Sequence, residues 1–257
     1  MSGGEVSSRA VLAAAPGGAV LYQLREVTKR RSLGAGFVLQ VPELTIRAGE
    51  MVALVGDSGC GKSTLLDLLA MVLRPDGAEA FTFQPAAGAR LDVWRAWQGN
   101  DQNRLARVRG ENLGYVLQTG GLLPFLSVRD NIALSRRLLG LPRQGWTEAL
   151  AKRLGIANHL SKLPGQLSVG ERQRVAIARA MAHQPAVVIA DEPTASLDPI
   201  RARQIMDLFA TLVSQYGATL VLATHDRQAV EHGGFRVVKF VLSQAPRDSS
   251  VLARVEG

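Results

Sequence analysis

The chain has 257 residues, enough for one large domain or two lobes sharing a sheet, and its 47% apolar content supports a sizeable core. No stretch approaches the roughly 18 uncharged apolar residues of a membrane span, and a single cysteine excludes an intramolecular disulfide and suits a reducing cytosol. The net charge of +8 comes mostly from scattered arginines; nucleic acid, acidic lipid head groups or an acidic partner could take such charge, but without an aromatic-interleaved stripe of the kind that binds single strands it reads as a generic solvated surface with some attraction to anionic membrane.

In chain order, residues 1–18 are rich in Ser, Ala and Gly, and their apolar run (11–15) is too short for a signal peptide, so they read as a disordered tail. Residues 20–27 and 37–46 read as strands around a basic, glycine-containing turn. The apolar run Met51-Val52-Ala53-Leu54-Val55 then leads into Gly56, Asp57, Ser58, Gly59, Cys60, Gly61, Lys62 and Ser63, which fit G-x-x-x-x-G-K-[ST]; Thr64 and the leucines after it start a helix. Strand, loop and helix are the context a phosphate-binding loop needs. The glycines let backbone N–H groups point at phosphate oxygens, and the helix N-terminus adds partial positive charge. Lys62 can reach the β- and γ-phosphates, and the Ser63 hydroxyl can ligate Mg²⁺. Cys60 reads as a small residue that fits the loop, and alkylating it should block nucleotide binding if the loop is accessible.

Residues 74–102 are harder to read: Phe81-Thr82-Phe83 suggests a strand, and Trp94 and Trp97 suggest core or interface positions. The stretch 122–184 is mostly helical, with candidates at 128–139, 146–154 and 168–182 between prolines. Two further apolar runs, 186–190 and 219–224, read as strands buried on both faces, hence a parallel sheet covered by helices. Ligands of such sheets sit at the carboxyl ends of the strands, so Asp191-Glu192 and His225-Asp226 should converge on the nucleotide.

The run Val187-Val188-Ile189-Ala190-Asp191-Glu192 is a Walker B pattern. Asp191 can hold Mg²⁺ directly or through water, and Glu192 can polarise the attacking water; alone, the two carboxylates would read equally well as an acidic cap after a strand. They do not stand alone. Leu167-Ser168-Val169-Gly170-Glu171-Arg172-Gln173-Arg174 closely resembles the LSGGQ signature of ATP-binding cassette (ABC) ATPases, and Ser168 with Glu171 also forms a capping box; both readings can hold. Gln118 matches that family's Q-loop, Ala195-Ser196-Leu197-Asp198 its D-loop, and His225 its switch histidine, over residues 21–226.

The resemblance implies an α/β protein with the P-loop NTPase ABC ATPase fold: a RecA-like parallel-sheet core, an N-terminal antiparallel β subdomain and an inserted α-helical subdomain. One domain would span 19–257, with 19–118 and 186–257 as the catalytic lobe and 119–185 as the helical signature subdomain. It implies ATP and Mg²⁺ as cofactors. Glu192, His225 and Lys62 would be catalytic. The phosphate loop from Gly56 to Thr64, with Gln118, Ser168, Val169, Gly170 and Glu171, would contact nucleotide, and Ser63, Gln118 and Asp191 would hold the metal. Such subunits work head to tail, so a homodimer is implied. With no span of its own, the chain needs a separate integral membrane permease, which would place it peripherally on the cytoplasmic face of the inner membrane.

The segment from Gly121 to Ile132, with Gly170-Glu171-Arg172-Gln173-Arg174 and Ile189-Ala190-Asp191-Glu192-Pro193-Thr194, is similar to lipoprotein-releasing and macrolide-export (LolD/MacB-like) ATPases, which act as mechanotransmitters. Amino-acid and other small-solute importers share much of this text. Cassettes acting on DNA or ribosomes usually carry tandem domains or a long coiled-coil insertion, absent here. Two departures stand out. Val169 replaces the usual first glycine of the signature, and Arg31 stands near where the family places an adenine-stacking aromatic, leaving Arg31, Tyr22 or Phe37 for that task. The stretch from Glu231 onward matches no family pattern.

Overall fold

The computed structural model describes residues 18–31, 36–85, 90–142, 145–225, 230, 233–244 and 251–256. All of the expected tail over 1–18 except Gly18, the turn residues 32–35 and Asp226 lie outside them. The strands are β1 (Val20–Arg31), β2 (Phe37–Arg47), β3 (Met51–Val55), β4 (Ala80–Phe83), β5 (Leu91–Asp92), β6 (Leu113–Val116), β7 (Val187–Asp191), β8 (Thr219–Thr224), β9 (Arg236–Gln244) and β10 (Val251–Glu256). The helices are α1 (Lys62–Leu69), α2 (Val93–Gln98), α3 (Gln102–Asn112), α4 (Val128–Leu138), α5 (Trp146–Arg153), α6 (Val169–Met181) and α7 (Pro199–Gln215).

All ten strands join one sheet in the order β5-β4-β1-β2-β10-β9-β3-β8-β7-β6. From β9 to β6 every pairing is parallel. At the other end, β1 pairs antiparallel with β2 and β4. The unplaced C-terminal stretch is what joins these parts: β9 runs parallel to β3, and β10 lies between β9 and β2.

The parallel strands are buried on both faces, and strand periodicity sorts their side chains. Val52, Leu54, Val187, Ile189, Val221 and Ala223 join a core with α1, β1 and β2. The alternate residues Ala53, Val55, Val188, Ala190, Leu220 and Leu222 join a second core with α4 to α7. Three of the helices were expected to within two residues of their ends; Ser168 and Ala182 cap α6 rather than belong to it. The short strand at Phe81 is present, and Trp97 is buried. Among the described residues no helix is long and apolar enough to cross a membrane.

Candidate active site

The phosphate loop leaves the carboxyl end of β3 and enters α1, a placement set by β3 being central among parallel strands. Gly59 and Gly61 take φ of +79° and +102°, a left-handed region that a side chain enters only with strain. At Gly61 a Cβ would also stand 2.8 Å from the Phe37 ring, so glycine is required there twice over. The Lys62 side chain is buried; its ammonium donates to the Gly56 and Asp57 carbonyls at 2.7 and 3.0 Å, leaving its third proton free.

A cleft of about 580 Å³ opens over the loop. It brings together Ser58, Gly59, Gly61, Lys62, Ser63, Thr64, Gln118, Asp191 and Glu192, with Arg31, Phe37 and Asp67. Ser63 hydrogen-bonds to Asp191. Burial, opposed by that bond and reinforced by the charges of Glu192 and Asp67, raises the Asp191 carboxyl above its ordinary range. Such a site is short of positive charge. Its hydroxyl, amide and carboxylate oxygens suit Mg²⁺, which typically takes one or two carboxylates and completes its shell with substrate phosphates and water. Consistent with that sparse protein shell, no group of three His, Cys, Asp or Glu side chains among the described residues forms a metal cage.

Glu192 follows β7 and turns out of the ladder with φ +43°, while its N–H still donates to the Ala223 carbonyl at 3.0 Å. A non-glycine residue there carries a strain of about 1–3 kcal/mol. The turn carries its carboxylate into the cleft, 3.6 Å from His225 Nδ1 at the end of β8. His225 itself does not line the cleft.

Several expected contacts lie elsewhere. Gly56, Asp57 and Cys60 line a second cavity of about 540 Å³, with Val230 and Phe240. Cys60 is 1% exposed, and burial raises its thiol pKa. The loop thiol is therefore not accessible from the nucleotide cleft. Iodoacetamide should label the native chain slowly and the urea-unfolded chain fast, read by intact mass; rapid native labelling would show the loop to be open on that side. Tyr22 is removed as an adenine platform: it is fully buried and its hydroxyl donates to the Leu69 carbonyl at 2.9 Å. Arg31 and Phe37 remain at the cleft, and Arg31 is held 3.4 Å from Asp67, a carboxylate sequence reasoning passed over.

Ser168, Val169, Gly170 and Glu171 are absent from the cleft of their own chain. Ser168 and Val169 are exposed at the start of α6. The Ser168 hydroxyl accepts the Glu171 N–H, and the Glu171 carboxylate accepts the Ser168 N–H at 2.7 Å. Both the N–H and the carboxylate of Glu171 are thus engaged within the chain, which argues against it as a direct nucleotide contact.

A strand–loop–helix at the carboxyl edge of a parallel sheet, facing acidic residues on the neighbouring strand, defines the class: a P-loop nucleoside-triphosphate hydrolase of α/β architecture. The family model described as "ABC transporter" matches residues 39–195. The lipoprotein-releasing system ATP-binding protein LolD of Idiomarina loihiensis is 41% identical over 216 residues, 82% of this chain and 90% of that protein. The macrolide export ATP-binding/permease protein MacB 2 of Aeromonas hydrophila is 36% identical over 234 residues, 89% of this chain but 34% of that protein. Among solved structures, the ATP-binding cassette MJ0796, a dimer in a post-hydrolysis state bound to ADP and Pi, superposes with a TM-score of 0.70 at 28% identity, covering 85% of this chain and 94% of that one. The chain belongs to the ABC transporter ATPase family, and its activity is ATP hydrolysis.

Proposed function

We propose that the chain is the ATP-hydrolysing subunit of a LolD/MacB-like lipoprotein-release, export or mechanotransmission complex. It acts as a homodimer on the cytoplasmic face of the inner membrane, beside a separate integral permease. One observation carries the dimer: the exposed N-terminus of α6 stands outside the cleft that holds its own phosphate loop. A second copy, head to tail, brings Ser168, Val169 and Gly170 to the open side of that cleft, and two-fold symmetry gives two equivalent sites. The dimeric state of MJ0796 supports this arrangement. The permease is supported by the relatives' names and by the surface: MacB 2 is named as both ATP-binding and permease protein where this chain spans a third of it, and Leu117, next to Gln118 in sequence, and Phe125 in the stretch that follows are exposed apolar residues.

ATP phosphates lie on the N–H groups of the loop, with Lys62 as counter-charge and Arg31 and Phe37 beside the base. Ser63, Gln118 and Asp191 would hold Mg²⁺, which would supply neutralisation of phosphate charge. Glu192 takes the proton of the water that attacks the γ-phosphorus; the bond to the bridging oxygen breaks, leaving ADP and phosphate. His225 keeps the Glu192 carboxylate turned to the cleft. ATP closes the dimer and hydrolysis releases it, so chemical energy becomes a change of subunit contacts.

The test is purification of tagged Glu192→Gln protein from solubilised native membranes with ATP present, and mass spectrometry of what accompanies it. An integral protein with few spans and a large extracytoplasmic domain is expected. A many-span partner would turn the reading to a small-solute importer, and ribosomal proteins or nucleic acid alone would end the transporter reading.

A further inference from the structure

The start of α6 is held from outside the signature. Glu171 uses one carboxylate oxygen, Oε2, to accept the Ser168 N–H at 2.7 Å. Its other oxygen, Oε1, lies 2.9 Å from Nε2 of His159. An ionised carboxylate only accepts, so His159 carries its proton on Nε2 and donates. Its Nδ1 is buried without a partner, so the ring's polar contact is concentrated on Glu171. His159 sits in a 3-10 turn (Ala157–His159), and the residues that follow are pinned to the start of α4: the Leu160 and Lys162 carbonyls accept the Arg129 and Val128 N–H groups at 3.0 and 2.9 Å. The Lys162 charge also acts on Glu171.

The consequence falls on the donors of Ser168. A free carboxylate at the third position of a helix samples several rotamers; one clamped at both oxygens does not. With Glu171 fixed, its N–H stays on the Ser168 oxygen, and Ser168 keeps its extended cap conformation with ψ 165°. The Val169 and Gly170 N–H groups, the first two of α6, have no partner inside the helix and stay aimed outward.

We propose that His159 is a positioning residue for hydrolysis: by donating to Glu171 it fixes the capping box and so presets the Ser168 hydroxyl and the first N–H groups of α6 for the γ-phosphate bound by a second copy of the chain. This rests on the head-to-tail reading above. It places a determinant of the active site in a turn that touches neither nucleotide nor the phosphate loop of its own chain.

The test uses the full chain in the Glu192→Gln background, with ATP-driven dimerisation followed by light scattering and ADP affinity measured calorimetrically on the monomer. His159→Leu, near in volume but with no donor, is expected to raise the protein concentration for half-maximal dimer by about tenfold, the weight of one charge-assisted hydrogen bond. ADP affinity, a property of the phosphate loop alone, should stay within about twofold. His159→Gln, whose amide can donate from near the Nε2 position, should recover most of the loss. His159→Ala serves should the leucine variant fail to fold. Wild-type dimerisation of the donor-less variants would overturn the proposal, as would equal losses in Leu and Gln, or loss of ADP affinity alongside dimerisation. Ser168→Ala separates the two levels. If it dimerises normally, the head-to-tail reading itself fails; if it is impaired while His159→Leu is not, only the role of His159 falls.

Discussion

Glu192→Gln protein is expected to bind ATP as the native chain does, to accumulate as a dimer, and to turn over about 10²–10⁴-fold more slowly, the weight of a positioned general base. The substitution keeps shape and hydrogen-bonding capacity and removes only basicity. The strained φ of +43° is a backbone property set by the Ala223 contact, so the amide should occupy the same place. It sits 3.6 Å from His225 and beside Asp191, so loss of one negative charge also relieves repulsion in a cleft crowded with carboxylates. That predicts nucleotide affinity equal to or tighter than wild type. Phosphate release and equilibrium nucleotide binding, measured on one preparation, check both halves. Unchanged turnover would remove Glu192 as the base and leave Asp191 or a water chain in its place. Reduced binding alongside reduced turnover would mean that the carboxylate is structural.

Much of this site was legible because its residues sit where fully apolar strands end. β3, β7 and β8 each carry an uninterrupted hydrophobic run, and the polar residues that end those runs are forced to the carboxyl edge of the sheet. Other parts were not, for identifiable reasons. β9 carries exposed Val237, Val241 and Leu242, so its side chains give no clean alternation, and its place between β3 and β10 is a long-range pairing that no local pattern encodes. α2 and α3 are short, yet each starts at an aspartate, Asp92 and Asp101, that accepts an N–H from three residues on; those caps were present in the text to be read. Periodicity could not separate Tyr22 from Phe37 as a base platform, because which of two strand residues meets the cleft depends on the α1 packing that buries Tyr22. A lone histidine at 159 carries no signal until the turn that holds it is seen against α6.

Lys62→Ala should behave in the opposite way to Glu192→Gln, losing affinity and turnover together. The native ammonium is buried, and two of its protons are held by the Gly56 and Asp57 carbonyls. Both hydrogen-bond acceptors are neutral carbonyls, so a triphosphate competes for the ammonium on favourable terms. A charge-assisted bond to phosphate is worth about 1.5–3 kcal/mol, which corresponds to about a 10–150-fold loss of affinity when the lysine is removed. The fold should survive, because Gly56 and Asp57 line the second cavity, where water can replace the lost donor at their carbonyls. Calorimetry with ATP and a phosphate-release assay, run with thermal unfolding as a control, make the comparison. A stable Lys62→Ala protein with native affinity and turnover would refute the phosphate-loop assignment. A stable protein that binds normally and only hydrolyses slowly would move Lys62 from ground-state binding to stabilisation of charge developing on the γ-phosphate alone.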